Sequence, residues 1–155
     1  MTSLSRKTRY ALRALYALAG DTARGPVLIA DLADREHIPR KFLETILLEL
    51  KNAGILRSKK GKGGGYALAR PPEQVTMGQV IRIIDGPLAP LPCASERAFV
   101  KCEECTDEAT CGTRQVMQKV RDATAAILDS TTLADVQAQI SRARSATASA
   151  VTYSI

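Results

Sequence analysis

The sequence predicts a mainly α protein, a winged helix-turn-helix with a two-stranded wing, continued by a long C-terminal helix. Three observations carry this expectation. Three segments of helical apolar period fill the first 52 residues. Two short β-type runs then flank a glycine- and lysine-rich tip, KKGKGGG, at residues 59–65. Finally, a long segment with an apolar seam follows the last cysteine.

From Leu4 to Leu18 basic and apolar positions alternate with helical period, and Tyr10, Ala11, Ala14, Leu15, Ala17 and Leu18 crowd one broad face. Gly20 is the C-cap candidate. The stretch VLIADLADREH reads as a short second helix, broken at Ile38-Pro39. Proline is tolerated in a first turn and so opens the third helix, Arg40 to Asn52. Phe42, Leu43, Ile46, Leu47 and Leu50 share its apolar face, and Gly54 closes it. Two helices around a tight break, the second basic at its start, are a helix-turn-helix signal. Ile55–Ser58 and Tyr66–Ala69 read as strands. The glycines between them allow a sharp turn and a close approach to a phosphate or groove. The tip lacks the Gly-Lys-Ser/Thr of a nucleotide-binding loop.

Pro71-Pro72 ends the winged unit. Thr76 is the expected N-cap of MGQVIRIID, whose Val80, Ile81, Ile83 and Ile84 point inward, and Gly86-Pro87 ends that helix. The segment APLPC leads to the cysteine loop. After Gly112 a helix runs to about Leu128, with Val116, Val120, Ala123 and Ile127 in a stripe edged by Met117 and Leu128. Such a seam outside the DNA-binding unit suits a dimerisation helix. Leu133 to about Arg144 is a further short helix, and residues 146–155 are expected to form a flexible tail. The expected organisation is therefore a winged-helix unit, 1–72, then 73–145 with a linker helix, a cysteine loop at 90–112 and the dimerisation helix.

Charge is unevenly placed. Residues 1–72 hold 14 Lys and Arg against 6 Asp and Glu, a net of +8, whereas residues 73–155 carry a net of −2. A basic half joined to a mildly acidic half implies a polyanion partner for the first, and nucleic acid is the natural one. No apolar run reaches about 18 residues, so a transmembrane span is excluded. Arg9 and Arg13 interrupt the apolar start, which therefore reads as a helix of a cytoplasmic protein rather than a signal peptide. No Ser/His/Asp set or paired-carboxylate cleft is visible, and Cys102-x2-Cys105 lacks the strand–helix context of thioredoxin-like chemistry. The chain does not read as an enzyme.

All four cysteines, Cys93, Cys102, Cys105 and Cys111, fall in PCASERAFVKCEECTDEATC. That segment is too polar for core, so the thiols call for a ligand or an oxidant. Four thiolates suit an iron–sulfur cluster or tetrahedral zinc, for which Cys102-x2-Cys105 is a half-site. Clustered thiols also suit a metal-free redox switch. Glu103, Glu104, Asp107 and Glu108 are expected to raise the thiol pKa values. His37, the single histidine, reads as a surface or phosphate contact rather than a ligand.

The stretch LETILLELKNAGILRSKKGKGGGYALARPPEQVTMGQVIRIIDGP resembles the signature of the Rrf-two family of bacterial transcription regulators, the IscR/NsrR/RirA/CymR type. The opening SRKTRYALRALYALA is also similar to that family's first helix, so the resemblance spans about residues 2–130. Its most specific parts are the GGGYALAR wing and the helix ending in Asp-Gly. The resemblance implies a homodimer on near-palindromic double-stranded DNA, gated by an iron–sulfur cluster of two or four irons held in the loop before the long helix. Family members take a fourth ligand from a histidine after the last cysteine or an acid on the partner's first helix. Here neither is present: Cys93, Cys105 and Cys111, or Cys102, Cys105 and Cys111, would serve as a minimal triad, and all four together, the set expected here, would complete a cluster's usual thiolate complement. For DNA, Arg40, Lys41 and Glu44 on the third helix are the expected groove and phosphate readers. Lys59, Lys60 and Lys62 belong to the wing, Lys60 at a position often Arg in the family. Thr8, Arg9 and Tyr10 are expected to reach the backbone from the first helix.

Overall fold

A computed structural model describes residues 3–21 and 24–152. The order of elements is α1 (Arg6–Gly20), α2 (Ile29–Glu36), α3 (Arg40–Asn52), β1 (Leu56–Lys59), β2 (Gly65–Leu68), α4 (Met77–Asp85), α5 (Gly112–Ser130) and α6 (Leu133–Thr152). Short 3-10 turns at Pro72–Gln74 and Pro92–Ala94 lead into α4 and into the cysteine loop.

Local chemistry sets the boundaries. Ser5 caps α1 by accepting from the Thr8 N–H at 3.0 Å. Asp21 rather than Gly20 is the C-cap of this helix. His37 ends α2 in the left-handed conformation at φ 51°, and its N–H reaches the Ala33 and Asp34 carbonyls. Thr76 and Gln79 form a reciprocal capping box on α4. The strands lie one residue from their expected places and pair antiparallel, Leu56 opposite Leu68 and Lys59 opposite Gly65. A bridge from Val27 to Tyr66 seats the loop before α2 on the wing.

The core lies between α1, α2, α3 and the base of the wing. Leu15, Leu32, Leu43, Ile46, Leu47, Leu50 and Ile55 are fully buried there, each stabilising by roughly 1.5–3 kcal/mol. Phe42, expected on the apolar face, is 39 % exposed on the flank of α3, where its ring meets Tyr10 edge-on at 5.7 Å. Val75 and Val80 carry the core toward α4, and Leu133 closes it from the first turn of α6.

The C-terminal half is assembled differently. None of the residues of α5 is buried, and the predicted stripe stands in solvent, with Val116, Val120 and Ile127 at 53, 43 and 66 % exposure. Polar links hold α5 instead: Arg82 of α4 grips Asp129 with two hydrogen bonds of 2.6 and 2.8 Å. After α5, Thr132 and Asp135 cap α6, which returns onto α1, the Gln137 amide donating to the Tyr16 carbonyl. This helix runs to Thr152, past the expected end near Arg144. Its continuation past Arg144 holds alanines at positions 146, 148 and 150, and alanine is the best helix former. Of the tail expected at 146–155, residues 153–155 lie outside the described residues.

Candidate nucleic-acid interface and cysteine loop

Burial of Leu43, Ile46, Leu47 and Leu50 turns the opposite face of α3 outward. Lys41, Glu44 and Thr45 stand on it, exposed. Arg40 and Glu44 pair across one turn at 3.4 Å with side chains 63 and 52 % exposed, so the pair contributes little to stability and both groups are free to exchange partners. The Thr45 hydroxyl donates to the Lys41 carbonyl.

The wing tip presents Lys59, Lys60 and Lys62 to solvent. Its turn depends on glycine twice over. Gly61 and Gly63 take φ of 85° and 71°. A Cβ on Gly64 would sit 2.5 Å from the Lys59 carbonyl oxygen.

At the start of α1 the three candidate residues separate. Arg9 is exposed and Tyr10 half-buried against Phe42. Thr8, by contrast, has no accessible surface. Its hydroxyl is turned to Asp85 at the end of α4, so the expectation that Thr8 touches a phosphate is corrected to a supporting role. Asp85 also accepts the Ser5 N–H at 3.1 Å and the Ser5 hydroxyl at 2.5 Å. Burial would raise this carboxylate, but the Ser5 bonds, Thr8 and the charge of Lys7 hold it below its ordinary value. Lys7 itself pairs with Glu49 of α3 at 2.5 Å.

In the cysteine loop, Cys93 is buried in the Pro92–Ala94 turn, Cys102 is exposed, and Cys105 and Cys111 are half-exposed; all four thiols are free. The Cys102 and Cys93 thiols lie within hydrogen-bond reach, and this contact, burial and the charges of the other three cysteines raise the Cys102 pKa. For Cys105, burial raises the pKa first and Cys111 next; Lys101 opposes them and Glu108 adds to them. At Cys105 the expected acid effect comes from Glu108, behind burial and Cys111. Among the described residues, no three Cys, His, Asp or Glu converge as a closed metal cradle. By its chemistry alone the donor set suits a cluster, because four thiols are the usual thiolate complement without histidine or carboxylate. His37 sits exposed between α2 and α3.

Two arginines of α5 join this loop to the helix. Arg114 Nε donates to the Cys93 carbonyl at 2.9 Å, and its guanidinium lies 5.7 Å from the Phe99 ring centre. Arg121 Nη1 donates to the Ala94 carbonyl at 2.5 Å. Nothing in the local sequence marks these arginines, which look like ordinary solvated positions of an amphipathic helix.

Comparison with known proteins agrees with this architecture. Residues 4–139 match the family described as Rrf2, Iron-dependent Transcriptional regulator. An rrf2-like HTH-type transcriptional regulator of Rhodobacter capsulatus is 41 % identical over 138 residues, covering 87 % of this chain and 92 % of the relative. The HTH-type transcriptional regulator CymR of Bacillus subtilis is 32 % identical, with 86 and 88 % covered. Its solved structure, titled as that of the global cysteine regulator, superposes with a TM-score of 0.73 over 90 % of this chain and 98 % of that one. The structure of T. potens IscR gives 0.72 at 29 % identity, over 91 and 90 %.

Proposed function

Because this chain belongs to the Rrf2 family of transcriptional regulators, proteins that are not enzymes, we propose that it is a homodimeric, DNA-binding switch, acting as a repressor, whose cysteine loop holds an iron–sulfur cluster. One observation carries the reading: four thiols share a polar loop whose backbone carbonyls are held by Arg114 and Arg121 of α5. Cys93, Cys102, Cys105 and Cys111 would hold the cluster as thiolates, and the cluster, when bound, supplies a charge that responds to iron, oxidant, nitric oxide or sulfur supply. The chain's own residues do the rest. Arg114 and Arg121 tie the loop backbone to α5, and Arg82 ties α5 to α4. The bare stripe of Val116, Val120 and Ile127 supports a second copy as its cover. In such a dimer a shift of α5 changes the spacing of the two α3 helices on a near-palindromic duplex. Arg9, Arg40, Lys41 and the wing lysines would contact phosphates and base edges, with Glu44 accepting from a cytosine amino group.

Iron and acid-labile sulfide per subunit, measured with the visible spectrum on anaerobically purified protein, test the cluster. The expected result is a coloured protein that Cys105→Ala bleaches, with a change in affinity for a duplex selected from random DNA. A colourless, iron-free protein whose binding is unaltered by Cys105→Ala would refute it. Val120→Glu is expected to give monomers in sedimentation, and a persistent dimer would count against α5 as the interface.

A second reading rests on the Cys102–Cys93 hydrogen bond. A peroxide could take two electrons and two protons from these thiols, leaving a disulfide and water. The raised Cys102 pKa lowers its thiolate fraction and works against this switch. Mass spectrometry after peroxide treatment separates the readings: a Cys93–Cys102 disulfide in iron-free protein that changes DNA affinity favours the thiol switch.

A further inference from the structure

The Asp-Gly that ends α4 is the part of the sequence signature with no role in the switch as described so far. Its aspartate is Asp85, and its partners lie in α1, 80 residues earlier in the chain. Asp85 accepts from both donors of Ser5, the residue that itself caps α1, and from buried Thr8. The result is a carboxylate seated at the positive end of a 15-residue helix, where the unpaired N–H groups and the helix dipole favour it.

This cap fixes more than helix ends. Ser5 leads into the turn Arg6–Arg9, where Arg9 projects into solvent. On the same turn Lys7 pairs with Glu49, and Tyr10 meets Phe42, so the first turn of α1 is fastened to α3 as well as to α4. One turn before Asp85, Arg82 grips Asp129 of α5. The last turn of α4 thus holds α1 through Asp85 and α5 through Arg82.

We propose that Asp85 is a positioning residue for DNA binding: its hold on Ser5 and Thr8 aims the first turn of α1, and with it Arg9, at the phosphate backbone. The inference rests on the proposed contact of α1 with DNA and adds to it the group that orders that contact. Without Asp85 the Ser5 cap loses its anchor on α4, and Arg9 on the loosened turn would have to be ordered at the moment of binding, which weakens its contact.

The test measures binding of the full-length protein to a duplex selected by the wild-type chain, as a function of salt. Each phosphate contact contributes close to one unit to the slope of log affinity against log salt. Arg9→Ala is expected to lower affinity and reduce the slope by about one unit. Asp85→Ala should do the same to roughly the same degree, and the double variant should lose no more than either alone. Ser5→Ala, which removes the hydroxyl that both donates to Asp85 and caps α1, should lower affinity and slope in the same direction. A helix merely stabilised by Asp85 would behave otherwise. If Asp85→Ala lowers the melting temperature while the salt slope stays at the wild-type value, or if its loss adds to that of Arg9→Ala, the positioning role is overturned. If Arg9→Ala leaves both affinity and slope unchanged, the contact of α1 with DNA falls, and the inference with it.

Discussion

Gly78 sits in the first turn of α4, buried, at the place where α4 and α5 are joined. A Cβ built there would lie 2.0 Å from Asp129 Oδ1 and 2.9 Å from Arg82 Nη1. The atoms in the way are side-chain ends, so Gly78→Ala is accommodated by swinging Asp129 aside and breaking its double bond to Arg82. Two effects then oppose each other. Alanine in place of glycine stabilises a helix by about 0.5 kcal/mol, the low end of the range being apt in a first turn. Losing the Arg82–Asp129 pair costs about 1 kcal/mol, the upper end for a partly exposed ion pair, because the geometry is two-pronged and the side chains are 32 and 44 % exposed. The expected net is a destabilisation of about 0.5 kcal/mol. In an Asp129→Ala background only the flexible end of Arg82, at 2.9 Å and now unpaired from Asp129, has to shift, and the same substitution is expected to stabilise by about 0.5 kcal/mol. The change of sign is the diagnostic. For a chain of this size the two backgrounds should differ by roughly 2–4 °C in the melting shift caused by Gly78→Ala. Equal shifts in both backgrounds would refute the reasoning, since they would mean that the methyl and Asp129 do not compete for one space.

Two further outcomes follow from the same geometry. Gly65→Ala combines a φ of 135° with a Cβ placed 2.2 Å from the Val27 carbonyl oxygen, where only backbone can give way; the expected cost is about 2–4 kcal/mol in urea denaturation, and a loss below about 0.5 kcal/mol would contradict it. Acid stability should depend on Asp85 and Asp129. Asp129 is lowered first by its bonds to Arg82, while Asp85 is lowered by Ser5, Thr8 and Lys7 against the effect of burial. Both depressed groups stabilise the fold fully above the ordinary aspartate value of about 3.9, and that stabilisation disappears as pH falls through their lower folded-state values. Asp85→Asn with Asp129→Asn should therefore flatten the melting temperature against pH below about 4, and an unchanged acid limb would count against these assignments.

How far the sequence discloses this molecule depends on the range of each interaction. The recognition helix, the wing and the Thr76 cap are legible because period, glycine and capping signals all lie within a few residues of what they determine. Thr8 was misplaced although a local signal existed: Thr8, Ala11, Leu12 and Leu15 follow the i, i+3, i+4, i+7 rule, and the basic neighbours Lys7 and Arg9 masked it. The links Ser5–Asp85, Arg82–Asp129, Arg114–Cys93 and Arg121–Ala94 span 80, 47, 21 and 27 residues and leave no local trace. Yet Ser5–Asp85 ties α1 to α4, and the other three hold α5 to α4 and to the cysteine loop. The winged unit is closed by a packed core in which removing one leucine costs about 2–5 kcal/mol. In contrast, α5 has no buried residue and is held through three guanidinium groups, each of whose hydrogen bonds is worth about 0.5–3 kcal/mol net. Under the proposed gating, a few kcal/mol of differential binding at the cysteine loop would be enough to rearrange α5 while the core of the winged unit stays intact. A rigid reader on a polar joint is what a switch of this kind requires, because the signal must move the unit that reads DNA without melting it.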